Sequence, residues 1–285
     1  MSRSPWPRRL RFVALGLSAW LVAVLGWSAL RDRVGQPDLD AVDAWHEGHR
    51  IVDRNGAVLR ELTTDYGRRG RPLSLDEIGP RAVTAAVVAE DADFFEHDGI
   101  DRLAILRAAA QNVANARVVS GASTITQQLV KLLDTRGVTG RRTLAIKIDE
   151  AARAQNLETQ LSKGRILVEY MNRLPYGHGL VGPEAAAQAY FGVPAHRLSW
   201  AQAAFLAVLP RAPSSLDPYA HFERVVSRQQ RLLTALHEHG HLDDAALQRA
   251  RVETIAPRGE QSLLPRHDAL EVSVRIERRG RTGQH

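Results

Sequence analysis

The 285 residues include no cysteine, which excludes disulfides and thiolate metal sites. A formal charge of +6 and a sequence pI of about 10.1, carried largely by arginine, suit an anionic partner: nucleic acid, anionic lipid or a phosphate-bearing substrate. The length allows one or two ordinary domains with a sizeable core, and no glycine-rich dinucleotide loop follows a strand pattern, which disfavours a nucleotide-sugar enzyme of Rossmann type.

Arg3, Arg8, Arg9 and Arg11 give residues 1–11 a basic character. The uncharged run from Phe12 to Leu30 is close to the ~20 residues that a spanning helix needs. Trp6 and Trp27 fall near where two membrane interfaces would lie. The run is longer than a usual signal-peptide core and no clear A-x-A site follows it. The reading is therefore an uncleaved transmembrane anchor over 12–30, with the basic flank in the cytoplasm and the remainder outside. Nucleic acid is not expected as a partner of a chain placed in this way.

Residues 31–50 read as a polar linker. Asn55-Gly56 between apolar-rich arms predicts a small β-hairpin. A basic loop, Tyr66 to Pro72, follows it. From Leu75 the pattern is helical nearly throughout. Pro80 opens a run that is apolar all round, as in a buried helix, and the run ends in Glu90 and Asp91. The helix dipole is negative at that end, and burial beside a second carboxylate disfavours the charged form, so this pair is a candidate for general acid–base work. If the helix runs on, Glu90, Phe94 and His97 share one face. Read alone, this stretch fits a solvated helix end equally well.

Residues 103–119 are apolar with basic interruptions, which suits either an interfacial surface or a core helix. Ser123 or Thr124 can cap the next helix, and Thr124-x-x-Gln127 fits a capping box. Thr124, Gln128 and Lys131 then form a stripe of hydroxyl, amide and ammonium that starts at a helix N-terminus. Free N–H groups, a dipole end and a lysine make that a candidate phosphate site. Arg141 to Glu158 reads as a long helix with Lys147 and Glu150 on one face. Ser162 caps a helix to about Asn172, Pro175-Tyr-Gly-His-Gly forms a turn in which His178 is a loop histidine, and Glu184 to Tyr190 is helical. Ser199 caps a buried helix stopped by Pro210. Amphipathic helices follow over 223–237 and 243–251, with Gly240 as the break between them, and residues 256–285 form a basic tail.

Glu90-Asp91-x-x-Phe94-x-x-His97-x-Gly99 followed by Gly121-x-Ser123-Thr124-Ile125-x-Gln127-Gln128-Leu129-x-Lys131 resembles the first two motifs of the peptidoglycan glycosyltransferases, glycosyltransferase family 51. Lys147-x-x-Glu150 is similar to the end of the family's R-K-x-x-E, with Ile146 in place of the arginine. Residues 166–177 and 186–192 resemble its I-L-x-x-Y-L-N-x-x-x-x-G and A-A-x-x-Y-F-G, in the wording of the C-type class A penicillin-binding proteins. Leu132 and Gln202 also depart from the usual asparagine and glutamate. No S-x-x-K or K-T-G transpeptidase motif is present.

The resemblance implies a mostly α, lysozyme-like glycosyltransferase domain over 51–255, preceded by the hairpin and the anchor. It implies an enzyme that transfers a growing lipid-linked glycan to a sugar hydroxyl of lipid II, with inversion and release of undecaprenyl pyrophosphate. Glu90 would be the base. Glu150 would orient groups or hold a Mg²⁺ or Mn²⁺ ion on the pyrophosphate. By analogy with inverting glycosidases the two carboxyls should lie roughly 6.5–9.5 Å apart. Ser123, Thr124, Gln128, Lys131 and Lys147 would meet the pyrophosphate, and Asp91, Phe94 and His97 would shape the acceptor side. Implied partners are lipid II, lipid-linked glycan, the bacterial inner membrane and other cell-wall synthesis proteins. Two alternatives stay open: a non-catalytic membrane-anchored assembly scaffold, and a lysozyme-like lytic enzyme.

Overall fold

The computed structural model describes residues 8–34, 39–43, 50–52, 54, 58–61, 72–114, 123–134, 143–210 and 216–258. The hairpin's Asn55-Gly56 turn, the basic loop over 66–71, Arg141, Arg142 and the tail from 259 lie outside these residues.

The described chain is mostly helical. Helix α1 runs Arg8–Val34 and α2 runs Leu39–Asp43, so the 31–50 connector is helical in part. Strands β1, Arg50–Val52, and β2, Val58–Glu61, pair antiparallel with Arg50 opposite Glu61. Then come α3, Leu75–Ile78, and α4, Pro80–Glu90; a 3-10 turn, Phe94–Glu96; α5, Arg102–Ala114; α6, Ile125–Leu133; α7, Leu144–Glu158; α8, Lys163–Arg173; and α9, Pro183–Phe191. Helices α10, Trp200–Val208, α11, Phe222–Glu238, and α12, Asp244–Val252, close the domain.

Apolar runs and local caps explain these boundaries. Helix α10 is alanine-rich and buried on nearly every side, so it forms the centre, packed on α4 and α11. Ser199 caps it through the N–H of Gln202, whose side chain returns the bond to the Ser199 N–H. Phe205 of α10 is fully buried, as are Ile78, Leu167, Tyr170 and Tyr190 elsewhere in the core. Helix α6 packs on α7 and α8 beside this core, and that group carries the candidate site.

Helix α4 does not run on, as the common face for Glu90, Phe94 and His97 would require. Asp91 leaves the helix at φ −163°, ψ 75°, and the chain makes a turn before Phe94. The physical cause lies far along the chain: the Asp91 carboxylate accepts the N–H of Ile125, the first residue of α6, at 2.9 Å. Among the described residues no helix is long and apolar enough to cross a membrane. Of the side chains over 12–20 only that of Ser18 is described, and it is exposed. Trp27, expected at a membrane interface, gives its indole N–H to Gln155 Oε1 on α7 at 2.6 Å, and Arg31 Nε bonds Asn156 Oδ1 at 2.9 Å.

The Pro175–Gly179 turn is tied to the loop before α11. His178 Nε2 lies 3.3 Å from Asp217 Oδ1, which also accepts from the backbone N–H groups of Tyr219 and Ala220. Burial by itself pushes the Asp217 carboxyl up, but the bonds from Tyr219, His178 and Ala220 outweigh it and hold it below the usual carboxylate value. A carboxyl depressed in the folded state stabilises above its unfolded pKa, about 4, and that contribution is lost as pH falls through the folded value. Asp217→Asn should therefore lower Tm at neutral pH, with the gap to the native chain closing in melts below about pH 4.

Candidate active site

Glu90 is the last residue of α4 and half-buried. Its Oε2 accepts a hydrogen bond from Gln128 Nε2 on α6 at 3.0 Å. The Gln128 Oε1 in turn accepts from the Tyr170 hydroxyl on α8 at 3.1 Å. A fourth group faces the same carboxylate. Burial, and after it the negative charge of Glu90, push the Tyr176 hydroxyl well above the ordinary phenol range, so Tyr176 stays neutral.

The second carboxylate lies on α7, which packs on α6. Glu150 on α7 is buried, and Lys147 Nζ lies 3.6 Å from its Oε2. The same ammonium donates to Ser123 Oγ at 2.6 Å. Ser123 sits immediately before Thr124, the N-cap of α6. Helix α6 therefore links the two carboxylates: its Gln128 holds Glu90, and the residue before its cap meets Lys147 beside Glu150. Lys131, one turn beyond Gln128, is exposed at the outer end of the stripe.

The expected phosphate cradle at the start of α6 differs from this picture. The capping box is formed, with Thr124 Oγ1 accepting the Gln127 N–H and Gln127 Oε1 accepting the Thr124 N–H. Thr124 is buried, and its hydroxyl proton goes to the Gly99 carbonyl at 2.8 Å. The Ile125 N–H goes to Asp91. The anion at this helix N-terminus is thus the protein's own aspartate, and Thr124 serves the turn rather than facing outward. Gly99 takes φ +78° here, and a Cβ on it would stand 2.8 Å from the Ala154 carbonyl carbon of α7, so only glycine lets the turn approach so closely.

Three residues of the first motif are tied into the fold around them. Phe94 is fully buried, with Lys163 Nζ 4.3 Å above its ring. His97 Nε2 lies 3.1 and 3.2 Å from the two Asp91 oxygens; since an ionised carboxylate only accepts, Nε2 carries the proton. Its Nδ1 is buried and has no hydrogen-bond partner among the described residues. Asp91 therefore ties the end of α4, the 3-10 turn and the start of α6 together.

Sequence reasoning did not single out Tyr170, Tyr176 or the Glu158 cluster. Glu158 accepts from Thr126 Oγ1 and pairs with Lys163 at 2.8 Å, pinning α6, α7 and α8. The available signal was a general one: a buried tyrosine hydroxyl must find a partner. Arg153, one turn past Glu150, pairs with Asp149 at 2.9 Å, but its Nε hydrogen is not aligned with the carboxylate. Among the described residues no group of three or more His, Cys, Asp or Glu could hold a metal ion. Glu150 is a single carboxylate, which fits a Mg²⁺ shared with substrate phosphate and water better than a cage built by protein alone.

A helical domain with two carboxylates linked through one helix, and an ammonium beside one of them, is the class of site that moves a proton and meets an anionic substrate. Residues 55–237 match the family described as Transglycosylase. Penicillin-binding protein 1A of Aquifex aeolicus (strain VF5) is 42% identical over 212 residues, covering 72% of this chain and 28% of its own. Penicillin-binding protein 1C of Escherichia coli (strain K12) is 33% identical over 256 residues, covering 89% and 32%. Penicillin-binding protein 1A of the same organism is 37% identical over 196 residues, covering 68% and 23%. The chain belongs to the transglycosylase family, and it spans about a third or less of the length of these relatives.

Proposed function

We propose that the chain is a peptidoglycan glycosyltransferase that polymerises glycan from lipid II. The observation that carries this reading is that α6 is bonded to both carboxylate groups, with Gln128 holding Glu90 and Ser123, just before its cap, meeting the Lys147 that pairs with Glu150. Glu90 takes the proton of the acceptor sugar hydroxyl as that oxygen attacks the donor's anomeric carbon. The bond from this carbon to the diphosphate oxygen breaks, and the diphosphate leaves with the electron pair. A diphosphate needs charge neutralisation more than protonation, which Lys131, Lys147 and the Ser123 hydroxyl can supply. Glu150 keeps Lys147 in place, and it could also hold a Mg²⁺ or Mn²⁺ ion together with diphosphate oxygens, adding Lewis-acid charge at the leaving group.

The lipid-borne substrate calls for a membrane surface, and exposed apolar side chains support one. Leu21, Val22, Val24 and Leu25 of α1 are exposed, as are Phe95 and, on α5, Leu103, Ile105 and Leu106. Arg102 and Arg107 flank the α5 group and suit anionic headgroups. We place the chain at the bacterial inner membrane, with α1 as anchor and the site on the outer side, where other cell-wall synthesis proteins are its natural neighbours.

The test is incubation of the purified chain with lipid II in detergent, followed by gel separation of glycan strands, beside a parallel assay for solubilisation of finished peptidoglycan. Strands in the first and nothing in the second support the polymerase. The reverse pattern would make the chain a lytic enzyme, and silence in both would favour the scaffold.

A further inference from the structure

Glu90 ends a helix, and its side chain has three rotatable bonds, so something must fix the carboxylate if it is to act as a base. The structure supplies a line of three groups from three helices. The Tyr170 hydroxyl, fully buried on α8, lies 3.1 Å from Gln128 Oε1, and Gln128 Nε2 lies 3.0 Å from Glu90 Oε2. The chemistry fixes the direction of every bond. An ionised carboxylate only accepts, so the amide nitrogen must face Glu90; the amide oxygen then faces Tyr170, whose hydroxyl must donate. Neither end of the Gln128 amide can flip without leaving a carboxylate against a carbonyl.

Burial drops from Tyr170 to its two half-buried partners. Tyr170 is locked in the core by α8 packing, Gln128 is half-buried on α6, and Glu90 sits at the edge of α4. Such a chain passes the rigidity of the core outward to the reacting group, and polarised bonds in series strengthen one another. We propose that Tyr170 and Gln128 are positioning residues for Glu90: a hydroxyl–amide relay that fixes the orientation of the carboxylate. This assigns Gln128 to the base rather than to the diphosphate, and it gives Tyr170 a role in the reaction although it touches no substrate. The proposal rests on the reading of Glu90 as the base. A misplacement of about 1 Å is enough to cost roughly a hundredfold in rate.

The experiment compares the native chain, Tyr170→Phe, Gln128→Met, Glu90→Gln and the double variant Tyr170→Phe/Glu90→Gln. Lipid II polymerisation is measured with kcat and KM separated, and hydrogen exchange of the Gln128 side-chain amide is followed by NMR. Tyr170→Phe removes one oxygen, so the fold should hold, with Tm close to native. Its kcat should fall about ten- to a hundredfold with KM within about twofold, and the double variant should be no worse than Glu90→Gln. The Gln128 amide should be protected from exchange in the native chain and less protected in Tyr170→Phe, whereas Glu90→Gln, whose amide oxygen can still accept from Gln128, should keep most of the protection. A native kcat in Tyr170→Phe, or a loss confined to KM, would overturn the relay. So would an amide that exchanges freely in the native chain. An amide protected by both partners in a chain that makes no glycan would keep the relay and overturn the polymerase reading instead.

Discussion

Glu90→Gln is expected to remove glycan synthesis, with kcat falling by about 10² to 10⁴ and the fold intact. The substitution keeps the shape of the side chain. It takes away the only group in this line that can receive a proton: Gln128 presents its amide nitrogen to Glu90, and Tyr170 donates to the other end of that amide. Tyr176 cannot take over, because burial, the larger cause, keeps its hydroxyl protonated even without the Glu90 charge. The new amide at 90 would also put nitrogen against nitrogen unless it turns its oxygen to Gln128, so the contact can survive while the chemistry does not. Polymerisation rates and thermal melts measured on the same preparation separate these two consequences.

The largest stability effect should come from Glu169→Leu. Arg173 and Glu169 pair one turn apart on α8, and their side chains are only 5% and 9% exposed. Arg173 also donates to the Val42 carbonyl, which holds α2 against the domain. Removing the carboxylate breaks a buried ion pair from one side and also takes the partner of Arg165, a change that costs about 3–5 kcal/mol. For a chain of this size each kcal/mol is about 2–4 °C, so Tm should fall by roughly 6–20 °C. By contrast Arg107 and Asp93, at 62% and 40% exposure, form an ion pair in solvent whose loss should be worth about 0–1 kcal/mol. Melts of Glu169→Leu and Asp93→Asn, run together, check the ordering.

Local chemistry was the readable part of the sequence. Thr124 and Ser199 form capping boxes with residues three positions on, a signal confined to four residues, and the structure places both as their spacing suggests. The buried character of α4 and α10 followed from their apolar runs. The two ordered motifs carried the family, since so many positions cannot align by chance. Long-range bonds were not readable. The stop of α4 depends on the Ile125 N–H, 34 positions away, and the relay joins Tyr170 to Gln128 across 42 positions. A polar stripe on a helix shows which residues share a face but not which of their atoms already have partners. That is why Thr124 and the first amides of α6 looked open to a phosphate and proved to be engaged by Gly99 and Asp91. The clasp of Trp27 and Arg31 on Gln155 and Asn156 is of the same kind.

The most direct test is the anomeric configuration of the newly formed bond, read by NMR on strands made by the purified chain from lipid II. A base that activates the acceptor for a single displacement must invert the donor carbon, so the new linkage should have the opposite configuration to the donor's bond to diphosphate. Retention would require two displacements through a glycosyl-enzyme, would make one carboxylate a nucleophile, and would contradict the role of Glu90 as the base that activates the acceptor.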